Sequence, residues 1–164
     1  MKRRYLLALA TLLSVTVPAL TSLAQSPEAT GPQPELPKEK LTIAGHGGPE
    51  HVFNVEMALK QDQQIVGEMF RTSVPADGGM LFDWGYARDS QMWMRNTLVP
   101  LDMVFINADG TIRAIAENTT PRSLAVIDSR GPVRATLELA GGAAAKLDIR
   151  VGDTVKQRIF GNAP

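Results

Sequence analysis

Two acidic residues lie within apolar stretches of the sequence, where a carboxyl group could do acid–base chemistry. Asp102 is surrounded by the apolar residues of the segment 101–106, and Glu138 stands between two leucines. A buried carboxylate is costly unless it is paired, so such a residue either has a structural partner or titrates outside its ordinary range, as catalytic acids do. We expect Asp102 to pair with Arg71, with Arg95 or with backbone N–H groups. If Asp102 and Glu138 faced each other, they would form the paired carboxylates of a polymer hydrolase.

A second group of side chains, between positions 71 and 97, is suited to ligand binding. Trp93 and Arg95 are two residues apart in a predicted strand, so we expect both side chains on the same side of it. Trp93 is either a partly buried packing residue or a platform for a ligand. Asn96 and Thr97 either tie down the backbone of a turn or bind a ligand hydroxyl or amide. Together with Arg71, these residues predict a groove for a small polar or glycan-like ligand.

The composition excludes several kinds of site. The chain has no cysteine, which excludes disulfides, a thiol nucleophile and thiolate metal ligands. Its two histidines, His46 and His51, lie in and just after a glycine-rich turn, so they are too few for a zinc site. The sequence contains neither a Gly-x-Ser-x-Gly elbow nor a glycine-rich phosphate-binding loop. We therefore predict no metal and no cofactor.

The first 24 residues predict a secretory signal peptide. Residues 2–4 are basic, residues 5–20 are nearly all apolar, and Ser22 and Ala24 are the small residues of a cleavage site. The alternative is a retained membrane anchor, but the apolar run is shorter than the about 20 residues that a spanning helix needs. We predict cleavage after Ala24, a periplasmic or secreted protein, and no stable membrane insertion after cleavage.

Cleavage of the signal peptide changes the net charge. The full chain has 17 basic and 17 acidic residues, and residues 1–24 hold three of the basic residues and none of the acidic ones. The mature chain would therefore carry 14 basic and 17 acidic residues, a net charge of −3. A mildly acidic domain lacks the positive surface that nucleic-acid binding requires. We predict no nucleic-acid partner.

The remaining sequence predicts one domain behind a tether. Residues 25–40 contain four prolines among polar residues, which predicts a disordered, extended segment. Residues 41–164 have the size of a single globular domain. Strands are predicted at 41–43, 51–59, 79–84, 91–95, 101–106, 111–117, 133–139 and 154–160, and short helices at 62–69 and 141–147.

The order of these elements indicates the fold class. Strands and helices do not alternate regularly, which predicts an α+β domain rather than a doubly wound parallel sheet. We expect a strand-rich single domain with two short helices. Its mixed sheet should curl, or close into a small barrel, because closure removes exposed strand edges.

Glycine, aromatic and apolar residues form a pattern over five segments of the sequence, 67–71, 79–82, 92–102, 137–139 and 152–153. This pattern resembles the family known as domain of unknown function 192. It covers nearly all of residues 51–159 and implies a compact, strand-rich α+β domain, often exported, with no assigned activity. Glu68 departs from the pattern, because the family usually has leucine at this position.

These observations leave three hypotheses for the function. The first, which we favour, is a non-catalytic binding or accessory domain of the cell envelope with a groove around the segment 93–102. The second is a hydrolase of an envelope polymer that uses Asp102 and Glu138. The third is a structural or protein-interaction module whose polar residues only stabilise the fold. The positions of the two acids relative to each other, and to any cavity, separate the three.

Overall fold

A computed structural model describes residues 29–45 and 47–163, so the predicted signal peptide lies outside the described residues. The elements in chain order are β1 (Lys38–Ala44), β2 (Glu50–Ala58), α1 (Gln61–Val66), β3 (Met80–Met92), β4 (Leu101–Ile106), β5 (Ile112–Ala116), β6 (Ile127–Ala140), α2 (Ala143–Lys146) and β7 (Thr154–Lys156). A 3-10 turn, Arg158–Phe160, follows β7. Within the described ranges, no helix is long and apolar enough to cross a membrane.

The seven strands form one mixed sheet in the order β5-β4-β6-β3-β2-β1-β7. Neighbouring strands are antiparallel except β2 and β3, which are parallel and are connected through α1. An antiparallel bridge between Thr111, next to β5, and Thr154 of β7 brings the two ends of the sheet together. The sheet is therefore nearly closed, which confirms the prediction of a strand-rich domain with a curled sheet. The α+β description fits only loosely, because the two α-helices have six and four residues.

The apolar core lies on both faces of the central strands. The inner face of the curled sheet packs alternate residues from nearly every strand, including Val55, Leu81, Val104, Leu137 and Val155. The opposite, outer face of β3, β4 and β6 is covered by the loops that flank these strands, and its buried residues include Met80, Phe82, Met94, Met103 and Phe105. β4 is buried along its whole length, as its continuous apolar sequence predicts.

A wide bulge interrupts β3 and changes where its side chains point. The two strands predicted at 79–84 and 91–95 form one strand that ends at Met92. Asp83 pairs with Ala135 and Arg88 pairs with Val133, so residues 84–87 of β3 lie opposite a single residue of β6. Bulges of this kind bend a strand and are common beside functional sites.

The segment that contains Trp93 and Arg95 is a turn, so the prediction that they share one side of a strand is wrong. The N–H of Met94 donates to the carbonyl of Ser123 instead of to a neighbouring strand, at 3.0 Å. Asn96 then adopts a left-handed conformation with φ 55°, which turns the chain toward β4.

The proline-rich segment before β1 contacts the domain. The side chain of Gln33 donates hydrogen bonds to the carbonyl oxygens of Gln63 and Gly67, at 3.1 and 3.0 Å. Leu36 packs against the apolar cluster on the outer face of β3. β1 itself begins before position 41. The prediction of a disordered tether at 25–40 is therefore wrong for the second half of this segment, which hydrogen bonds and apolar contacts hold against the domain. Residues 25–28 lie outside the described part of the chain.

Candidate functional site

A pocket of about 580 Å³ opens on the outer face of the sheet, between α1 and the bulged part of β3. β3 and β6 form its floor, and α1 with the turn that follows it forms one wall. The opposite wall comes from the turn after β3. The side chains that shape the pocket include Phe82, Trp84, Arg88, Trp93, Thr97 and Glu138.

Glu138 forms the deepest polar part of the floor. On β6 it lies opposite Met80 of β3 and Met103 of β4, so its side chain points to the outer face of the sheet. The residue is only 4% exposed, and Oε2 of its carboxyl group has no hydrogen-bond partner in the described part of the chain. Burial raises the pKa of Glu138 well above its ordinary value, and the nearby charge of Glu68 adds to this rise. The site therefore favours a protonated, uncharged Glu138.

Glu68 reaches the same floor from the turn after α1. Gly67 has φ 51°, and a Cβ atom there would lie 2.9 Å from the ring of Phe82 and 3.8 Å from Oε2 of Glu138. Only glycine fits this close approach, which brings the backbone N–H of Glu68 into hydrogen-bonding contact with the carboxyl group of Glu138. The side chain of Glu68 is 3% exposed. The two acids are therefore neighbours in space although 70 positions separate them in the sequence.

The charge of Glu68 is balanced only in part. Burial raises the pKa of Glu68 to about 7. The positive charge of Arg71 lowers this pKa, and the negative charge of Glu56 raises it further. Nε of Arg71 lies 3.2 Å from Oε2 of Glu68, but the contact lacks hydrogen-bond geometry. The guanidinium group of Arg71 instead binds both carboxylate oxygens of Glu56. Among the described residues, no group of three or more acidic or histidine side chains is placed to hold a metal ion.

Two tryptophans give the pocket flat walls. Trp84 lies within the bulge of β3, its Nε1–H donates to Thr136 at 3.3 Å, and the guanidinium group of Arg88 lies 4.4 Å from the centre of its ring system. Trp93 is 46% exposed, and Arg95 covers part of its ring at 5.4 Å. Exposed aromatic faces beside polar groups are typical of sites for small ligands.

The predicted ligand-binding residues separate into two groups. Trp93 and Thr97 line the pocket on the outer face. Arg71 lines a second cavity of about 390 Å³, which lies on the other side of Glu68. Arg95 contributes by stacking on Trp93 rather than by lining the pocket.

Asn96 and Thr97 make different backbone contacts. The main-chain carbonyl oxygen of Asn96 accepts a hydrogen bond from the N–H of Phe70, at 2.9 Å, and so joins the turn after β3 to the turn after α1. Thr97 is buried, and its hydroxyl donates to the carbonyl oxygen of Arg95 in its own turn, at 3.4 Å. The side chain of Thr97 thus has the backbone role that the sequence offered, and ligand binding by either side chain stays a prediction.

Asp102 lies elsewhere and binds backbone rather than arginine. Its carboxylate is 0% exposed and accepts hydrogen bonds from the N–H groups of Asn118, Gly142 and Ala144, at 2.6, 2.9 and 2.7 Å. Of the partners predicted from the sequence, the backbone alternative is confirmed, and pairing with an arginine is wrong. Asp102 holds the start of α2 and the segment after β5 against β4, because it satisfies N–H groups that would otherwise be buried without acceptors.

Asp102 and Glu138 do not face each other, as the hydrolase hypothesis would require. In the β4–β6 register, Asp102 lies opposite Leu139, and Glu138 lies opposite Met103. Successive residues of a strand point to opposite faces, so the two carboxyl groups are on opposite sides of the sheet. A hydrolase that uses this pair is therefore excluded by the geometry.

Comparison with known proteins supports the resemblance seen in the sequence. The family model DUF192, described as Uncharacterized ACR, matches residues 42–157. The chain belongs to the DUF192 family. No curated protein matches this chain.

Two crystal structures resemble this DUF192 domain closely. A putative transcription regulator from Sinorhizobium meliloti 1021 is 42% identical, with a TM-score of 0.75 over 77% of this chain and 98% of that chain. A protein of unknown function from Novosphingobium aromaticivorans DSM 12444 is 37% identical, with a TM-score of 0.73 over 82% of this chain and 94% of that chain. Both support the fold, and neither description assigns a ligand.

Sequence reasoning missed three features of this DUF192 site. Trp84 and Arg88 gave no signal, because the bulge that aims them at the pocket was not predicted. Glu68 stood out only as a departure from the family pattern, and its burial shows that the turn packs inward. The sequence therefore contained one signal of the acidic floor, namely that Glu68 stands where the family usually has leucine.

Proposed function

We propose that this DUF192 protein is an exported, non-catalytic binding or accessory protein of the cell envelope, with a small polar or glycan-like ligand in the outer-face pocket. The observation that carries the proposal is the unpartnered, buried Oε2 of Glu138 beneath open aromatic walls. A buried polar atom without a partner costs about 1–3 kcal/mol of folding free energy. A ligand that bonds to this atom would remove that cost, which makes the floor a favourable contact point.

The lining indicates a ligand with both polar groups and an apolar face. Trp84 and Trp93 offer flat surfaces of the kind on which sugar rings and planar groups pack. Gln61, Gln64 and Gln91 also line the pocket, and amide side chains bind hydroxyl groups as donors and as acceptors. A pocket of a few hundred Å³ is the size that small-molecule sites have.

Export is proposed from the N-terminal sequence alone. The basic, apolar and small-residue order of residues 1–24 is that of a signal peptide. N-terminal sequencing of the protein from an envelope fraction should read from Gln25. An intact Met1 in the membrane pellet would instead show a retained anchor.

A saccharide screen with matched variants tests the binding proposal. Labelled protein titrated with neutral cell-wall saccharides should show amide shifts confined to the pocket residues. Trp93→Ala should weaken binding roughly tenfold, which corresponds to about 1.4 kcal/mol. Val52→Ala removes a similarly exposed apolar side chain that lies outside the pocket and should leave binding unchanged. An absence of pocket shifts at millimolar saccharide would favour a structural or protein-interaction module.

A second candidate function is acid–base catalysis by the Glu68–Glu138 pair. Neighbouring acids with pKa values raised to different extents are a common arrangement of a catalytic acid and base, and here burial raises the pKa of both residues. The same saccharide samples separate the two functions: release of new reducing ends that Glu138→Gln abolishes would show a hydrolase, and unchanged saccharide would show a binding protein.

A further inference from the structure

Oε2 of Glu138 is an unsatisfied oxygen on the floor of the pocket. It is buried and unpartnered, whereas the carboxyl group receives a backbone hydrogen bond from Glu68. The side chains of its cross-strand neighbours, Met80 and Met103, carry no hydrogen-bond donor. Oε2 of Glu68 also lacks a hydrogen bond, but the guanidinium group of Arg71 lies 3.2 Å from it. An ionised carboxylate here would need further donors, but a protonated carboxyl group needs only one acceptor.

We propose that Glu138 acts as a neutral carboxylic acid that donates a hydrogen bond to an uncharged oxygen of the ligand, a carbonyl or a hydroxyl group. This inference rests on the proposed function, because it names the chemistry of the ligand group that reaches the floor of the same pocket. The floor then selects a neutral group over an ammonium ion or a carboxylate.

The charges around the floor disfavour an ammonium ion. An ammonium group has only donors, so a protonated Glu138 could offer it a carbonyl oxygen but not the negative charge of a carboxylate. Arg88 on β3 contributes a positive charge to the wall. An ammonium ion that bound an ionised Glu138 would have to remove its proton and would meet the charge of Arg88.

A ligand carboxylate is disfavoured by the acids. It would approach Glu68 and Glu138 directly, and Glu56 lies behind them. Arg71 does not compensate, because its guanidinium group already binds both oxygens of Glu56. Repulsion between like charges in a site of low polarity is stronger than in water.

The proposal predicts how binding depends on pH. The turn after α1 places two charged groups near Glu138, Glu68 and Arg71, and β3 places Arg88 in the same pocket. Glu56 of β2 acts indirectly, because its charge raises the pKa of Glu68. The neighbour on β4 is the uncharged Met103. The negative charge of an ionised Glu68 raises the pKa of Glu138 and so helps to keep the proton on it. Above the raised pKa of Glu138 the donor is lost, so affinity for a neutral oxygen should fall in alkaline solution.

Three sugar probes of equal ring size test the selection. N-acetylglucosamine is neutral, glucosamine carries an ammonium group and glucuronate carries a carboxylate at about pH 6. We expect N-acetylglucosamine to bind roughly tenfold more tightly than either charged sugar, and to lose affinity as the pH rises above the raised pKa of Glu138. Glu138→Gln keeps an N–H donor that does not titrate, so it should not show this alkaline loss of affinity.

A carboxyl carbon NMR titration of wild-type protein measures the same group without a ligand. The proposal requires the Glu138 signal to be that of a protonated acid at neutral pH, and an ionised Glu138 would overturn it whatever the variants do. Tighter binding of glucosamine, or affinity that rises with pH, would also overturn the inference but leave the binding function intact. No pocket shift with any of the three sugars would overturn the proposed function and this inference with it.

Discussion

Asp102 and Glu138 are buried acids on neighbouring strands, and they differ in what satisfies them. Asp102 points into the interior of the sheet, where three backbone N–H groups saturate its carboxylate. Glu138 points to the outer face, where one of its oxygens has no described partner and the pocket opens above it. Burial alone therefore does not identify a functional acid in this fold. The fraction of its hydrogen-bonding capacity that the protein leaves unused separates a structural acid from a candidate for binding.

The strongest test of this comparison removes Asp102. Asp102→Ala should lower the free energy of unfolding by about 4 kcal/mol, because it leaves three backbone N–H groups without their acceptor, one of them buried and two partly buried, and hydrogen bonds to a charged group contribute about 1.5–3 kcal/mol each. Urea unfolding at neutral pH measures the change. Asp89→Ala, which removes an exposed acid of β3, should change stability by less than about 0.5 kcal/mol. A loss below about 1 kcal/mol for Asp102→Ala would place Asp102 in the same class as Glu138.

The second prediction concerns the pH dependence of stability that the acidic floor produces. Burial raises the pKa of Glu68 to about 7 from its ordinary 4.5, so the folded protein keeps a proton that the unfolded chain releases between these values. This contribution to stability is complete below about pH 4.5 and falls as the pH rises to about 7, by about 3 kcal/mol in total. Glu138 should extend the fall to higher pH, since its pKa is also raised by burial.

Two variants assign that pH dependence to the floor. Glu68→Gln should remove most of the fall between about pH 4.5 and 7, because the amide does not titrate. Glu117→Gln, at an exposed position outside the pocket, should leave the profile as in the wild type. Urea unfolding across this pH range gives the profile. Wild-type stability that rises between these pH values would show that Glu68 is ionised in the folded protein and would remove the contrast with Asp102.

The smallest expected effect comes from Gln33, which supports the turn beneath Glu138. Gln33→Ala loses the hydrogen bonds to Gln63 and Gly67 and should cost about 1 kcal/mol. Faster hydrogen exchange at the N–H of Glu68 should accompany this loss, because that group follows the loosened turn. Glu35→Ala, in the same segment but exposed, should change neither quantity. Unchanged stability in Gln33→Ala would show that these contacts contribute nothing to folding, as expected for the disordered segment that the sequence predicts.

Much of the fold follows from local sequence patterns. The continuous apolar run 101–106 predicted a fully buried strand, and the structure has β4 at the same residues. The bulge of β3 could not be predicted, because residues 85–90 show no strand pattern and only the pairing with β6 reveals the shift in register. The turn at Asn96 depends on the hydrogen bond from the N–H of Met94 to the carbonyl oxygen of Ser123. These two residues are distant in the sequence, so no local pattern predicts the contact.

The candidate site was predicted in its parts but not in its arrangement. Trp93 and Glu138 were identified from their types and neighbours, and both line the pocket. Glu138 lies on the face away from the interior of the sheet, since its neighbours Leu137 and Leu139 pack inside, but nothing in the sequence of β6 shows that loops bury that face. The neighbour of Glu138 is Glu68 rather than Asp102, and this pairing depends on the close approach at Gly67, which is a property of the tertiary structure.

The bridge between Thr111 and Thr154 also has a consequence for folding. β7 pairs with β1, more than 100 positions earlier in the chain, and the same strand meets the start of β5. Contacts between distant segments carry a large entropy of loop closure and form slowly. The sheet cannot close until β7 is available, so a nascent chain stays incompletely folded until β7 has been synthesised. For a polypeptide that crosses a membrane as an extended chain, as the proposed export implies, this order of assembly keeps it competent for translocation until β7 has passed.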